Sequence, residues 1–262
     1  MHPLRRLYPE LQIQCNTSEV EVEDIMVNMI IDGKNVTAKK GTMLLEAIRN
    51  AGISVPTLCV HEAVSRSGAC RLCVVEIQKG SRTRIVTSCL YGVEEGLIVN
   101  TQSTRVLNVR RLVLELLLAR CPESDVLQKM ARDLGIEKEP RYTVDTDKGK
   151  CILCRSCVRV CEEVVGVSAI GLFSRGSYKK VGTPYNEPSD VCIGCGACVY
   201  VCPTGHIEMT STGDKRKIWG RTFKMQACSK CGKHFAPIDQ LKFISTKTGT
   251  TMEELSVCTE CR

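Results

Sequence analysis

Met26 to Ile31 (MVNMII) is a short apolar run broken by Asn28, and Asp32-Gly33-Lys34 follows before Val36 to Ala38. That pattern predicts a strand, a tight hairpin turn and a return strand. A helical period follows. Leu44, Leu45 and Ile48 fall on one side of a short helix, with Thr42 as a candidate N-cap and Gly52 at its end. Cys73 to Gln78 and Arg84 to Cys89 read as further strands. A longer helix is expected from about Ser103 to Arg120. Val106, Val109, Val113, Leu116 and Leu117 would share one face, with Arg105, Arg110, Arg111 and Glu115 elsewhere. Pro122 and Ser124 break it and start another, with Val126, Leu127, Met130 and Leu134 inward and Gly135 closing it. This helical pair is expected to be a structural linker. Residues 1–25 show little beyond the alternation EVEVED, which suggests an N-terminal arm or edge strand.

Composition changes the picture through cysteine. The chain has 18 cysteines in 262 residues, a density that means either a secreted disulfide protein or a metal carrier. Met1 to Gln14 contains no apolar signal core and no small-residue cleavage site. Leu112 to Ala119, the greasiest stretch, is interrupted by Glu115 and is far shorter than the roughly 20 residues that span a bilayer. A soluble, cytoplasmic, metal-rich chain is the expectation. Sixteen cysteines sort into four sets of four, leaving Cys15 and Cys121. Four thiolates are what a tetrathiolate metal site requires.

The first set is Cys59, Cys70, Cys73 and Cys89. Two ligands two residues apart can grip one centre from a single turn, and Gly68 lets backbone N–H groups approach sulfur. Four thiolates around two irons satisfy a [2Fe–2S] cluster; structural zinc is the bland alternative. The segment from Val27 to Ile77, with its C-x10-C-x2-C spacing and ACRLC core, resembles a known family. This is the N-terminal ferredoxin-like domain of the large iron–sulfur subunit of respiratory NADH dehydrogenase. The same module occurs in the small diaphorase subunit of NAD-reducing hydrogenases and in iron-only hydrogenases. The resemblance runs from about Met26 to Met209 and implies a β-grasp fold with a low-potential [2Fe–2S] centre. It also departs in one place. The family's next cluster sits on H-x3-C-x2-C-x5-C, whereas LLLARCPESDVLQKMARDLG holds Cys121 alone and no histidine. That extra cluster is expected to be absent.

One internal repeat is clear. CILCRSCVRVC (Cys151 to Cys161) recurs 41 residues later as CIGCGACVYVC (Cys192 to Cys202), matching at 7 of 11 positions, which reads as a duplicated half-domain. C-x2-C-x2-C-x3-C is the spacing of two-cluster bacterial ferredoxins, in which the fourth cysteine of each run ligates the other cluster. The expected [4Fe–4S] sets are therefore Cys151, Cys154, Cys157 with Cys202, and Cys192, Cys195, Cys198 with Cys161. The first run continues as Glu162-Glu163 where the second has Pro203, a form that resembles the diaphorase and hydrogenase domain rather than a free ferredoxin. Gly194 and Gly196 leave amides open to sulfide, and His206 reads as a loop residue.

The last set, Cys228, Cys231, Cys258 and Cys261, forms two CxxC knuckles 26 residues apart. Tetrahedral S4 geometry suits structural zinc; a further iron–sulfur cluster and a labile disulfide pair are the alternatives. The neighbouring Lys215, Arg216, Lys217, Arg221 and Lys224 read as a solvated face or docking rim.

The fold expected is a multidomain α+β chain. Its parts would be an arm (1–25), a β-grasp [2Fe–2S] domain (26–100), a helical linker (101–140), a two-cluster ferredoxin domain (141–212) and a zinc-ribbon-like module (213–262). No G-x-G-x-x-G dinucleotide motif follows a strand, and no catalytic constellation is evident. The function implied is an electron-transfer subunit of a multi-subunit oxidoreductase. It would relay electrons between a flavin- and NAD(P)H-binding subunit and a further catalytic subunit or ferredoxin, as in NAD-linked hydrogenases, formate dehydrogenases or electron-bifurcating enzymes. Two rivals are weaker. A succinate dehydrogenase-type subunit spaces its leading cysteines by four, not ten. A nucleic-acid-binding ribbon protein would need stacking aromatics, which are scarce here, with Trp219 and Phe223 near the knuckles. The formal charge of +7 first suggests an acidic partner. Each tetrathiolate site, however, adds about −2 relative to four thiols, so four sites roughly cancel the excess.

Overall fold

The computed structural model describes residues 25–136, 141–142 and 149–262. The arm expected over residues 1–25, with Cys15, falls almost wholly outside them.

The hairpin forms where the pattern places it: β1 (Met26–Ile31) pairs antiparallel with β2 (Lys34–Lys39) around Asp32 and Gly33, both at positive φ. Val27, Met29 and Ile31 point inward. The helix α1 (Leu44–Asn50) lays Leu44, Leu45, Ala47 and Ile48 on the sheet, each large side chain contributing about 1.5–3 kcal/mol by burial. Met43 rather than Thr42 precedes it, without a side-chain cap. Strands β3 (Val74–Lys79) and β4 (Arg82–Thr87) form a second hairpin. A further strand, β5 (Leu97–Asn100), has no counterpart in the sequence pattern, because four residues are too few to carry a clear period. It runs parallel to β1 and antiparallel to β3, closing a five-stranded sheet in the order β2-β1-β5-β3-β4.

Helix α2 (Thr104–Arg120) starts at the Ser103 cap, whose side chain accepts the Val106 N–H. Its buried stripe is Val106, Arg110, Leu114 and Ala119, while Leu116 is exposed. The inward face is thus rotated from the expected one, because Arg110 is drawn in to donate to the Val74 carbonyl at 2.7 Å. Helix α3 (Asp125–Asp133) buries Leu127 and Ala131 and leaves Val126 exposed. The pair is more than a linker. Leu114, Leu127 and a fully buried Cys121 pack in one apolar cluster with Cys59, Cys70, Ile152 and Cys154.

In the duplicated region, α4 (Ser156–Arg159) runs on into a π-helical turn over Val160–Val165. The equivalent α5 (Ala197–Tyr200) stops before Pro203, whose missing N–H and fixed φ cannot extend a helix. Between them lies the small hairpin β6 (Gly171–Phe173) and β7 (Lys180–Gly182). Four antiparallel strands follow: β8 (Met209–Thr212), β9 (Lys215–Ile218), β10 (Arg221–Ala227) and β11 (His234–Pro237). This sheet runs across the boundary expected between residues 212 and 213. Helices α6 (Ile238–Thr248) and α7 (Met252–Leu255) complete the chain. No helix among the described residues is long and apolar enough to cross a membrane.

Candidate metal centres and the seam between them

The first set is buried to within 1% exposure at all four cysteines. Its thiols come in two hydrogen-bonded pairs, Cys59 with Cys70 and Cys73 with Cys89. Within each pair one thiol is pushed down, Cys59 to about 5 and Cys73 to about 6, because its partner donates to it. Cys70 and Cys89 are pushed up for the complementary reason, with burial adding to it. Backbone N–H groups of Leu58 and Cys70 reach the Cys70 and Cys59 sulfurs at 3.4 and 3.5 Å. Two pairs of thiolates match the needs of two irons. Gly68 stands at φ +59°, where a side chain would be strained and its Cβ would have to displace Leu90 Cδ1, 2.5 Å away.

The ten residues between Cys59 and Cys70 do more than close a loop. Val64 is buried in the core of the duplicated region. Ser65 donates through its N–H and Oγ–H to the Glu163 carboxylate at 2.7 and 2.5 Å. Ser67 Oγ donates to the Cys154 carbonyl at 3.4 Å, and His61 meets Tyr200 edge-on. The long spacing therefore builds the seam to the next centre. Glu163 reaches it because the helix continues past Cys161, which explains Glu162-Glu163 in place of proline.

The repeat brings its cysteines together crosswise. Cys151, Cys154 and Cys157 each feel the charge of Cys202. Cys192 and Cys198 feel Cys161 and Cys195. Cys161, Cys192, Cys195 and Cys198 line one enclosed cavity with Gly194, Gly196 and Trp219. Burial pushes up the thiols of Cys151, Cys154, Cys157, Cys161, Cys192 and Cys198, and a bound metal or other nearby cation would favour their thiolate forms. N–H groups of Ala169 and His206 reach the sulfurs of Cys161 and Cys202 at 3.2 and 3.4 Å. His206 thus acts through its backbone.

Residues near the second loop take roles that the sequence did not reveal. Trp219 Nε1–H donates to Cys198 Sγ at 3.4 Å. Arg221 Nη1 donates to the carbonyls of Ser189, Asp190 and Cys192, while Arg216 reaches Gly194 O. These two cations are clamps on the cysteine loop rather than a solvated rim. Phe223 is 2% exposed and Trp219 is taken up by Cys198, so these two aromatics are not free to stack on bases.

The C-terminal knuckles differ in scale. Cys228, Cys231, Cys258 and Cys261 place their sulfurs within 4.8 Å of one another, the one such group of possible ligands among the described residues. Cys231 and Cys258 Sγ are 3.8 Å apart, the edge of about 3.8 Å expected for a tetrahedron with metal–sulfur bonds of about 2.3 Å. A cluster would spread the sulfurs over several irons and bridging sulfides. The N–H groups of Cys258, Cys231 and Lys230 pull the Cys228 thiol down to about 6. The knuckles face each other because Ser229 N–H bonds Ser256 O across them.

Comparison with known proteins follows the same division. A 2Fe-2S iron-sulfur cluster binding domain matches residues 24–104, and 4Fe-4S dicluster domains match residues 144–209 and 191–235. The last span reaches Cys228 and Cys231, which the fold instead joins to Cys258 and Cys261. NADPH-Fe(3+) oxidoreductase subunit alpha of Geobacter sulfurreducens is 35% identical, over 79% of this chain and 27% of its own length. NADP-reducing hydrogenase subunit HndD of Solidesulfovibrio fructosivorans is 35% identical over 69% and 35%. An NADH-quinone oxidoreductase subunit of Rhizobium meliloti is 30% identical over 79% and 27%. The chain thus spans about a third or less of the curated relatives it matches. A chain of an NAD+-reducing [NiFe]-hydrogenase in the H2-reduced state superposes with a TM-score of 0.51 at 28% identity, over 60% of this chain and 75% of that one. The chain therefore carries 2Fe-2S and 4Fe-4S ferredoxin-type domains and is similar, over most of its own length, to iron–sulfur subunits of NAD(P)-linked oxidoreductases and hydrogenases.

Proposed function

We propose that the chain is an electron relay between a flavin- and NAD(P)H-binding subunit and a further catalytic subunit or ferredoxin. The observation that carries this reading is the continuity of the cysteine sets. Cys59 and Cys70 share one apolar cluster with Cys154, and Cys157 shares the next with Cys161 and Cys198. Iron–sulfur clusters on these thiolates would supply one-electron storage and transfer. The residues fit such groups: glycines line the cysteine turns, backbone N–H groups aim at sulfur, and buried cations stand nearby. We assign a [2Fe–2S] centre to Cys59, Cys70, Cys73 and Cys89. The [4Fe–4S] centres are assigned to Cys151, Cys154, Cys157 and Cys202, and to Cys192, Cys195, Cys198 and Cys161. Around them the chain excludes water and fixes sulfur positions, so that little reorganises when charge moves.

The C-terminal site lies off this line: none of Cys228, Cys231, Cys258 and Cys261 belongs to the apolar clusters that hold the other cysteine sets. Its span supports a single metal ion, and we assign zinc in a structural role. In domain terms this reads as a β-grasp unit, a helical pair, a two-cluster unit and a zinc-ribbon-like module. Anaerobically purified protein should contain about 10 Fe, about 10 acid-labile sulfide and about 1 Zn per chain. Fewer than about 8 Fe in fully loaded protein would overturn the relay. Rapid cluster reduction by an NAD(P)H-reduced flavoprotein, followed by stopped-flow absorbance, tests the partner.

A further inference from the structure

Two guanidinium groups are buried beside the cysteine sets, Arg110 at 2% and Arg159 at 6% exposure. Neither forms an ion pair with a carboxylate among the described residues. Arg110 donates to Val74 O, next to Cys73 in the chain. Arg159 stands in the seam itself. Its Nη2 donates to Cys59 O at 3.3 Å, Cys154 O at 3.4 Å and Ser156 Oγ at 3.2 Å. One nitrogen thereby ties the backbone of a first-set cysteine to that of a second-set cysteine. Glu163, one turn on, feels the Arg159 charge, but its oxygens accept from Ser65.

The remaining donors are the informative part. Arg159 Nε and Nη1, and Arg110 Nε, are shut off from solvent with no protein acceptor. A buried cation with unmet donors is strongly unfavourable unless acceptors and counter-charge are close. Thiolate-held clusters supply both, as sulfur acceptors and as negative charge. The repeat marks the position as special: the residue equivalent to Arg159 is Tyr200, which is 82% exposed.

We propose that Arg159 is a positioning residue shared by two centres. Its Nε–H and Nη1–H donate to cluster sulfur at the Cys59/Cys70 site and the Cys151/Cys154/Cys157/Cys202 site, and its fixed charge favours the reduced form of both. The proposal rests on the cluster assignment above. Arg110 serves one centre only and is the natural control.

The test uses the loaded full chain. In EPR-monitored redox titrations, Arg159→Met shifts the [2Fe–2S] and first [4Fe–4S] midpoints negative and leaves the third centre unmoved. A tenfold loss in either reduction equilibrium corresponds to about 59 mV. Arg159→Lys restores part of the shift, and Arg110→Met moves the [2Fe–2S] midpoint alone. Should Arg159→Met fail to assemble, pulsed EPR on reduced wild-type protein grown with arginine labelled with 15N in the guanidinium group alone reads the contact directly, free of the backbone nitrogens of Arg71 and Arg155 in the cysteine loops. A 15N coupling is expected that survives Arg110→Lys and disappears in Arg159→Lys. No 15N coupling, a coupling lost only with Arg110→Lys, or unmoved midpoints in Arg159→Met would overturn the proposal. Lack of any [2Fe–2S] signal would instead overturn the cluster assignment beneath it.

Discussion

The two cysteine loops of the repeat share a backbone but meet different neighbours. Leu153 and Arg155 in the first take φ of 55° and 65°; Gly194 and Gly196 in the second take 68° and 81°. The left-handed turns belong to the loop itself, since both copies adopt them. In the second loop glycine is also required by packing, because a Cβ at Gly194 would meet Phe223 at 2.7 Å and one at Gly196 would meet Met209 Sδ at 3.0 Å. The first loop carries side chains at both positions, at about 1–2 kcal/mol of backbone strain each. Downstream the contrast reverses. Arg159 and Glu163 hydrogen-bond the first copy to the Cys59–Cys70 loop, whereas in the second copy the exposed Tyr200 meets that loop by an edge-on ring contact with His61 and Pro203 makes no hydrogen bond to it. Duplication supplied one cysteine geometry, and each copy was then fitted to its neighbour.

The sharpest way to break this comparison is to put the first copy's residue into the second. Gly194→Leu should eject the centre at Cys192, Cys195, Cys198 and Cys161, since strain at φ +68° adds to overpacking of about 1–3 kcal/mol against Phe223. Iron analysis should then show a loss of about 4 Fe per chain. Full iron content in that variant would mean the loops are interchangeable.

Next in size is the C-terminal module. Cys231→Ser should remove about one zinc per chain and leave about 10 Fe. It should also lower the thermal midpoint of the module, because structural zinc contributes directly to folding. A fall in iron instead would place an iron centre at the knuckles.

A smaller effect is expected at the seam. Glu163→Ala removes both Ser65 hydrogen bonds at a partly exposed site, worth about 1 kcal/mol. Limited proteolysis should then cut faster in residues 61–69, with iron content unchanged. A control change in the second copy, Pro203→Ala, removes no hydrogen bond to that loop and should leave that rate alone.

The smallest change runs the first prediction backwards. Leu153→Gly relieves left-handed strain but adds backbone freedom to the unfolded chain, so the net gain is about 0.5–1 kcal/mol or less. Chelator-driven iron release should slow slightly. Faster release would show that the Leu153 side chain, which packs against the core of the duplicated region, outweighs its strain.

Much of this molecule was legible in its chain. The β1–β2 hairpin, the buried face of α1 and the grouping of sixteen cysteines all follow from local spacing, because periods of 2 and 3.6 and the reach of a CxxC turn are properties of a few neighbouring residues. Less local features were hidden. Strand β5 is short, and the face of α2 turned because Arg110 found a carbonyl 36 residues away. Trp219 and Arg221 looked like parts of the knuckle region, and only folding brought them to the second cysteine loop.

By itself, then, the sequence determined the spacing that sorts sixteen cysteines into sets of four, the internal repeat and the iron–sulfur family that the chain resembles. Tertiary structure decided that ten residues between Cys59 and Cys70 form a docking loop, that the last four cysteines close around a single-ion span, and that Arg159 is buried where Tyr200 is exposed. The physical reason is common to all three. A ligand's spacing is written along the chain, but its burial, its charge environment and its neighbours depend on surfaces supplied by residues up to a hundred positions away.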